Sequence, residues 1–341
     1  MFKNISIAYS VMLMLSTKKN FESLGRFFGV VGKTIFRLLS TEALYHEIML
    51  NIVLKTFKEV KILYLIFDDT LLKKIYSKCM EGSGRFYDTK IGRRIIAFKL
   101  LVATLSDGKI SLPLISVFLF SSELVPNVKE TRLEWVQRII AMVQKHFPDK
   151  QIIVVADGAF GTKEFLRWCK EKKIKFEGRI RRNAVITYRG EKRNICDIET
   201  LKPVGRQIAR TICAEWDGIP VYITAELRDN KHEKIIVYQV ANFKEKPSKH
   251  VKIYAIRWTI EKCFRTTKQY LGLQECCSTI LETQQAHVAA SLLAYSLLCL
   301  RAKKQHLDNP ESAIRAANLK NKKKFTRYLD RLNQNFYLFN V

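Results

Sequence analysis

The chain has 341 residues, 48% of them hydrophobic, and its 59 lysines and arginines against 32 acidic residues give a formal net charge of +27. This length predicts two or three domains, and the hydrophobic fraction excludes a largely disordered chain. The charge favours a polyanionic partner, with nucleic acid as the first candidate. The eight cysteines form no CxxC pair, so we expect reduced thiols and no zinc site.

No apolar segment is long enough to predict a membrane span. The apolar segment Val288–Leu300 has only 13 residues, whereas a spanning helix needs about 20. It is therefore predicted to be a buried core helix. The first residues resemble the start of a signal peptide, but they lack a small-residue cleavage site and run into Lys18 and Lys19. We expect a cytoplasmic protein without a membrane partner.

Residues 1–60 are predicted to form a helical DNA-binding region. Within them, Asn20–Ser40 contains two short segments of helical apolar periodicity, broken around Gly29–Gly32. This pattern is compatible with a helix-turn-helix whose second helix begins near Lys33 and presents Lys33 and Arg37 to DNA. Any helical hairpin with a glycine turn gives a similar pattern, and it is the charge of the chain that favours DNA binding here.

The next part of the chain predicts a mixed α/β layered domain. Its predicted elements are three strands, a helix, a strand and a helix. In order they are the strand Lys61–Asp69, two strands around the turn Ser106–Gly108, the helix Arg132–Phe147, the strand Gln151–Asp157 and the helix Thr162–Lys173. Residues 175–243 are strand-like with little helix and predict a β-rich insertion. Most of the remainder is predicted to be helical.

The segment Tyr254–Lys268 reads YAIRWTIEKCFRTTK. Tyr254, Arg257, Glu261 and Lys268 are spaced so that an ideal helix carries them on one stripe. One acid held among cations and a phenol suits a site that binds a metal ion and a phosphate backbone together. Periodicity alone is equally compatible with a solvated helix face that is stabilised by ion pairs between residues four apart.

Two predicted strands end in aspartate, and the predicted helix adds a third carboxylate. Asp69 ends the first strand, Asp157 ends a later one, and Glu261 lies on the helix. Three such groups can hold two Mg²⁺ ions about 4 Å apart for phosphodiester chemistry. Asp68 stands beside Asp69, and in an extended strand only one of the two points to a given face. An aspartate after a strand is also common as a turn or helix-capping residue.

The spacing Y-x2-R-x3-E-x6-K of this segment resembles the signature of bacterial insertion-sequence transposases of the IS-four family. Upstream, IFDDT resembles the first catalytic block of that family, in which the aspartate immediately before threonine, here Asp69, is the metal ligand. The sequence VVADGAF resembles the second block, with Asp157 as the ligand. Gly158 follows it, where many relatives place arginine.

The resemblance implies a DDE transposase of the α/β class. Its RNase H-like mixed sheet would be flanked by helices and interrupted by the β-rich insertion, between a helical N-terminal DNA-binding region and a helical C-terminus. The resemblance covers about residues 61–300 and divides them into the catalytic core 61–178, the insertion 179–243 and the end of the core 244–300. The helical DNA-binding region 1–60 and the basic helical tail 301–341 are predicted from the sequence pattern and charge alone. That tail includes the basic segment Lys320–Arg327.

The resemblance also assigns roles to single residues. Asp69, Asp157 and Glu261 would be the catalytic residues and would hold two Mg²⁺ ions, for which Mn²⁺ could substitute. Tyr254, Arg257 and Lys268 would contact DNA near the transposon end. The other residues expected to contact DNA are Arg265, Trp216, Lys33 and Arg37, of which the last two come from the helical pattern of residues 1–60. Trp216 is the one tryptophan of the insertion, and a place in the core or in a turn is the alternative for it.

The expected partners are double-stranded DNA, as element terminal inverted repeats and as target, and a second copy of the chain in a synaptic homodimer. Such a protein would associate with the bacterial nucleoid in the cytoplasm. Two other functions remain open at this point. One is a metal-dependent nuclease of the same fold, and the other is a non-catalytic DNA-binding regulator derived from a transposase.

Overall fold

The structure is a computed structural model. It describes residues 2–15, 20–37, 39, 41–77, 80–120, 131–230 and 233–315. The predicted basic segment Lys320–Arg327 lies outside the described residues. No helix in the described ranges is both long and apolar enough to cross a membrane.

The described residues form ten α-helices and eleven β-strands. The helices are α1 (Phe2–Leu15), α2 (Phe21–Phe28), α3 (Gly32–Arg37), α4 (Glu42–Thr56), α5 (Arg132–His146), α6 (Lys163–Glu171), α7 (Pro247–Ala255), α8 (Trp258–Tyr270), α9 (Leu281–Lys304) and α10 (Pro310–Arg315). The strands are β1 (Ile62–Lys73), β2 (Gly84–Asp88), β3 (Arg93–Ser106), β4 (Ser111–Leu119), β5 (Gln151–Ala156), β6 (Lys175–Arg179), β7 (Val185–Tyr188), β8 (Glu191–Asn194), β9 (Ala209–Trp216), β10 (Ile219–Asn230) and β11 (Glu233–Ala241).

One mixed sheet contains all the strands of the described residues. Neighbours follow the order β2-β3-β1-β5-β6-β11-β10-β9-β7-β8, and β4 also pairs with β3. At its centre β1 is parallel to β5 and β5 is parallel to β6, while β1 is antiparallel to β3. The predicted α/β class with a mixed sheet flanked by helices is confirmed.

The central strands form because their sequences are continuous apolar runs. All residues of β5 except Gln151 are buried, as expected for a parallel strand that is covered on both faces. The apolar residues Leu63, Leu65, Ile66 and Phe67 of β1 are fully buried. The carboxylates that follow these runs therefore emerge where the buried parts of both strands end.

The strands of the β-rich segment extend the central sheet. Residues Gln239 to Ala241 of β11 pair antiparallel with Glu177 to Arg179 of β6, and β10 and β9 continue outward from β11. Trp216, at the end of β9, is only 8% exposed and belongs to the hydrophobic core. This position agrees with the alternative of a place in the core, and the expected contact of this ring with DNA stays a prediction.

Helix α9 is the centre of the helical layer. The predicted core helix Val288–Leu300 lies within it, and nearly all of its side chains in that segment are buried. Helices α1 and α4 pack against α9, and the hydroxyl of Tyr9 lies 2.8 Å from Nδ1 of His287. The N-terminal helices therefore share a hydrophobic core with the rest of the chain.

Helices α2 and α3 form the predicted helical hairpin. Asn20 caps α2 through the backbone N–H of Ser23, and Gly29 ends the helix in the left-handed conformation at φ 74°. Gly25 permits the close approach of α3, because a Cβ there would lie 2.5 Å from the carbonyl oxygen of Val30. Lys33 is exposed on α3.

Candidate active site

Asp68 and Asp157 lie at the same level on two neighbouring parallel strands. The last paired residues of β1 and β5 are Phe67 and Ala156, so each aspartate is the next residue of its chain segment. Opposed residues of neighbouring strands project from the same face. Burial and, after it, the negative charge of Asp157 raise the pKa of the Asp68 carboxyl to about 7.

Asp69 has different partners. Its Oδ2 lies 3.0 Å from Nη1 of Arg132 and 3.3 Å from Nζ of Lys99. Successive residues of a strand point to opposite faces, and the structure accordingly separates the contacts of Asp69 from those of Asp68. The carboxylate whose pKa responds to Asp157 is that of Asp68.

The segment Tyr254–Lys268 forms two helices, so the prediction of one continuous helical stripe is wrong. Helix α7 ends at Ala255, and α8 begins at Trp258. In the junction the N–H groups of Ile256 and Arg257 donate to carbonyls three residues earlier, at 3.1 Å each. These bonds are those of a tighter, 3₁₀-like turn, which separates the two helices.

Arg257 links two of the candidate carboxylates. Its Nη2 donates to Oε1 of Glu261 at 2.5 Å, and its Nη1 lies 3.6 Å from Oδ2 of Asp68. The Arg257 side chain is 11% exposed. The guanidinium therefore balances negative charge from both β1 and α8 in a mostly buried setting.

Tyr254 is buried rather than presented to a ligand. It is 2% exposed, and its ring centroid lies 5.6 Å from the guanidinium carbon of Arg257 and 5.7 Å from that of Arg228. These distances allow cation–π contacts. Burial raises the pKa of the phenol. In this structure the ring supports the position of Arg257.

Lys268 joins α8 to β1. Its ammonium donates to the hydroxyl of Thr70 at 2.7 Å and to the carbonyl of Leu71 at 3.0 Å. Burial, with repulsion from Lys73 and Lys90, lowers its pKa to about 8. The expected grip on DNA is untested, and the observed contacts are internal.

The remaining predicted DNA contacts lie elsewhere. The side chain of Arg265 is 59% exposed, and its Nη2 lies 3.5 Å from Oε1 of Glu311 in α10. Lys33 belongs to α3, and the side chain of Arg37 lies outside the described part of the chain. None of the three expected DNA contacts, at Arg265, Lys33 and Arg37, is tested by these positions.

Sequence reasoning missed two contributors to this region. The first is Asp68, although the alternation of a strand already requires that only one of the adjacent aspartates face Asp157. The second is Arg132, which contacts both Asp69 and the loop after β5. Its only local signal is a helix start of the form Thr-Arg-Leu-Glu, which places it on the first turn of α5.

The donor set of the site fits a hard divalent cation. Asp68, Asp157 and Glu261 offer carboxylate oxygens, the ligands that Mg²⁺ and Mn²⁺ prefer. Burial first, and then the negative charge of Asp157, raise the pKa of Asp68, and a bound cation would stabilise the ionised form of this carboxyl. Within the described residues no three acidic, histidine or cysteine side chains converge closely enough to enclose an ion, and Arg257 contacts two of the three carboxylates instead.

Comparisons with known proteins give the family and the fold of the chain. The family profile described as "Transposase DDE domain" matches residues 65–297, which is more than half of the chain. Among solved structures the chain is similar to that of the piggyBac transposase synaptic complex with hairpin DNA. The TM-score is 0.56 at 11% sequence identity, over 97% of this chain and 72% of that chain. At this identity the likeness concerns the fold alone. A search of curated proteins finds no match.

The chain belongs to the transposase DDE domain family, and its enzymatic class is that of a DNA transposase.

Proposed function

We propose that the protein cuts DNA at the ends of an insertion element and joins the released 3′-OH to target DNA, with Asp68, Asp157 and Glu261 as its metal ligands. The observation that carries this assignment is the register of β1 and β5, in which Asp68 and Asp157 follow the pair Phe67–Ala156. Glu261 belongs with them because Arg257 contacts both Glu261 and Asp68.

This proposal replaces Asp69 by Asp68 as the first ligand. Asp69 already accepts from Arg132 and lies close to Lys99, so its charge is balanced by two cations of the protein. Among the described residues, the one cation found within 4 Å of the Asp68 carboxylate is Arg257, which also contacts Glu261. A metal ion would therefore stabilise Asp68 more than Asp69.

Mg²⁺ is the proposed ion, with Mn²⁺ as a substitute. Two such ions, when bound, activate the attacking oxygen and stabilise the leaving oxygen of a phosphodiester. Arg257 holds positive charge beside the same carboxylates and can donate to a phosphate oxygen, since its fork matches phosphate as well as carboxylate. Tyr254 and Lys268 keep Arg257 and α8 in place through the contacts described above.

Double-stranded DNA is the proposed partner. The net charge of +27 favours a backbone contact whose strength depends on salt. The similar piggyBac structure is a synaptic complex with hairpin DNA, and we infer by analogy that two copies of this chain assemble on two element ends. Exposed cations such as Lys33 and Arg265 are candidates for the backbone contact.

The test uses labelled duplexes that carry the inverted repeats flanking the gene, an acceptor plasmid, and Mg²⁺ or Mn²⁺. Joined products are expected from the wild type. Cleavage without joining would indicate a nuclease, and binding without cleavage would indicate a regulator. Either result would overturn the proposal.

Point variants test the ligand assignment in the same assay. Glu261→Gln should abolish cleavage and leave DNA binding intact. The matched control is Glu171→Gln, an exposed acid at the end of α6, which should cleave as the wild type does. Normal cleavage by Glu261→Gln would remove Glu261 from the site.

The affinity of the wild type for DNA should fall steeply between about 50 and 200 mM salt. A shallow dependence on salt would contradict the argument that the positive charge of the chain drives DNA binding.

A further inference from the structure

Arg132 contacts two segments that both lead to the proposed site. Its Nη1 donates to Oδ2 of Asp69 on β1 at 3.0 Å, and its Nη2 donates to the carbonyl of Ala159 at 2.6 Å. Its guanidinium carbon also lies 4.4 Å from the ring centroid of Phe160. One side chain therefore ties the loop after β5 to the strand that carries Asp68.

The first turn of α5 is held by a capping box, so the backbone of Arg132 has a defined position. Thr131 accepts from the backbone N–H of Glu134, and the Glu134 carboxylate accepts from the backbone N–H of Thr131. This reciprocal capping box fixes the first turn of the helix. Arg132 is the first residue of that turn.

The loop that Arg132 holds is the one that carries Asp157. The backbone N–H of Ala159 donates to Oδ1 of Asp157 at 2.8 Å, and that of Phe160 donates to the Asp157 carbonyl at 3.2 Å. The orientation of the Asp157 carboxylate thus depends on the position of residues 158–160. Arg132 binds this same short loop through the carbonyl of Ala159 and the ring of Phe160.

We propose that Arg132 is a positioning residue for Asp157, acting through Asp69 and the carbonyl of Ala159. Asp69 anchors the guanidinium on β1, and the guanidinium in turn holds the loop so that Asp157 faces Asp68. This inference rests on the proposed function, because it takes Asp157 to be a metal ligand. It also gives Asp69 a role that differs from direct ligation.

The experiment compares the full-length wild type with Arg132→Met and Arg132→Lys. Hydrogen–deuterium exchange of a peptide covering residues 157–162 reports loop order without metal or DNA. Arg132→Met should raise exchange there by about tenfold and leave the peptide of β5 unchanged. Lysine keeps the charge but lacks the two-pronged fork, so Arg132→Lys should show a smaller increase.

Metal binding is the second readout. The dissociation constant for Mn²⁺, measured by electron paramagnetic resonance, should rise about tenfold in Arg132→Met, as is typical when the support of a ligand is removed. The cleavage rate at subsaturating Mn²⁺ should fall in parallel and recover partly at high Mn²⁺. The control is Lys145→Met, an exposed cation near the end of α5, which should match the wild type in loop exchange and in Mn²⁺ affinity.

The outcomes separate this inference from the proposed function. Unchanged loop exchange in Arg132→Met would overturn it, as would a loosened loop with unchanged Mn²⁺ affinity and cleavage. If Arg132→Met does not fold, the same two outcomes in Arg132→Lys would overturn the inference. Wild-type Mn²⁺ affinity and cleavage in Asp68→Asn would instead overturn the ligand assignment, and the positioning of the loop would still be judged by exchange.

Discussion

The ammonium of Lys268 donates a hydrogen bond of 2.7 Å to the hydroxyl of Thr70. Lys268 lies near the end of α8, and Thr70 lies two residues beyond Asp68 on β1. The contact therefore fixes the helix that carries Glu261 against the strand that carries Asp68. The last member of the Y-R-E-K signature has a structural role in the protein alone, before any DNA is bound.

Thr70→Val should destabilise the protein by about 1–3 kcal/mol, because the half-buried ammonium of Lys268 loses an acceptor. Lys268→Met should cost less, since it removes the burial of a charge together with the hydrogen bonds. In the Lys268→Met background, Thr70→Val should then have little further effect. Urea unfolding of the four proteins gives the coupling energy, and a coupling near zero would show that the tether contributes nothing.

Local patterns in the sequence were sufficient for the main elements of the fold. The strand at Gln151, the helix from Arg132 and the core helix Val288–Leu300 each have a long, one-sided or continuous apolar pattern. A one-sided pattern matches the period of a helix, whereas a continuous apolar run is assigned to a strand or a helix by its length and residue types. Of these elements, the strand that begins at Gln151 leads directly to Asp157.

Other features depend on contacts between distant segments. The choice between Asp68 and Asp69 follows from the register of β1 against β5, which a single strand does not reveal. The break between α7 and α8 was missed because Ile256 and Arg257 both keep right-handed helical angles, so the apolar period continues through it. The burial of Trp216 likewise arises from tertiary packing.

The two adjacent aspartates should respond differently to the same chemical change. Asp68→Asn should abolish DNA cleavage, because a neutral amide cannot replace a carboxylate ligand beside Asp157. Asp69→Asn should lower the cleavage rate by about 10-fold to 100-fold, as expected for a supporting contact. Cleavage rates in Mg²⁺ with both proteins decide the question. The reverse order of severity would restore Asp69 as the ligand.

The two glycines of the loop after β5 should differ in tolerance to alanine. A Cβ at Gly161 would lie 2.7 Å from the carbonyl oxygen of Arg179, whereas one at Gly158 would lie 3.4 Å from the same atom. Gly161→Ala should therefore cost about 1–3 kcal/mol of unfolding free energy. Gly158→Ala should stay within about 0.5 kcal/mol of the wild type. If urea unfolding shows the same loss of unfolding free energy in Gly161→Ala and Gly158→Ala, the loop is able to move away from β6.

Glu177 of β6 and His250 of α7 form a buried pair. Oε2 of Glu177 lies 2.8 Å from Nδ1 of His250, and neither side chain has any exposed surface. Oε1 of Glu177 and Nε2 of His250 have no hydrogen-bond partner within the described part of the chain. Burial raises the pKa of the Glu177 carboxyl to about 7, although the contact with His250 opposes the rise.

This raised pKa makes stability depend on pH in a defined direction. Between about pH 4.5 and pH 7 the folded protein holds a proton on Glu177 that the unfolded chain has released. Unfolding then releases a proton, so the free energy of unfolding falls as pH rises through this window.

The variant Glu177→Gln keeps the shape of the side chain and a hydrogen-bond donor for His250, but it does not titrate. The variant should therefore gain stability relative to the wild type from pH 4.5 to pH 7, by about 3 kcal/mol at most. Urea unfolding at four pH values measures the difference, with Glu171→Gln as an exposed control that should follow the wild-type profile. A constant difference between Glu177→Gln and the wild type would show that Glu177 is ionised in the folded protein throughout this range.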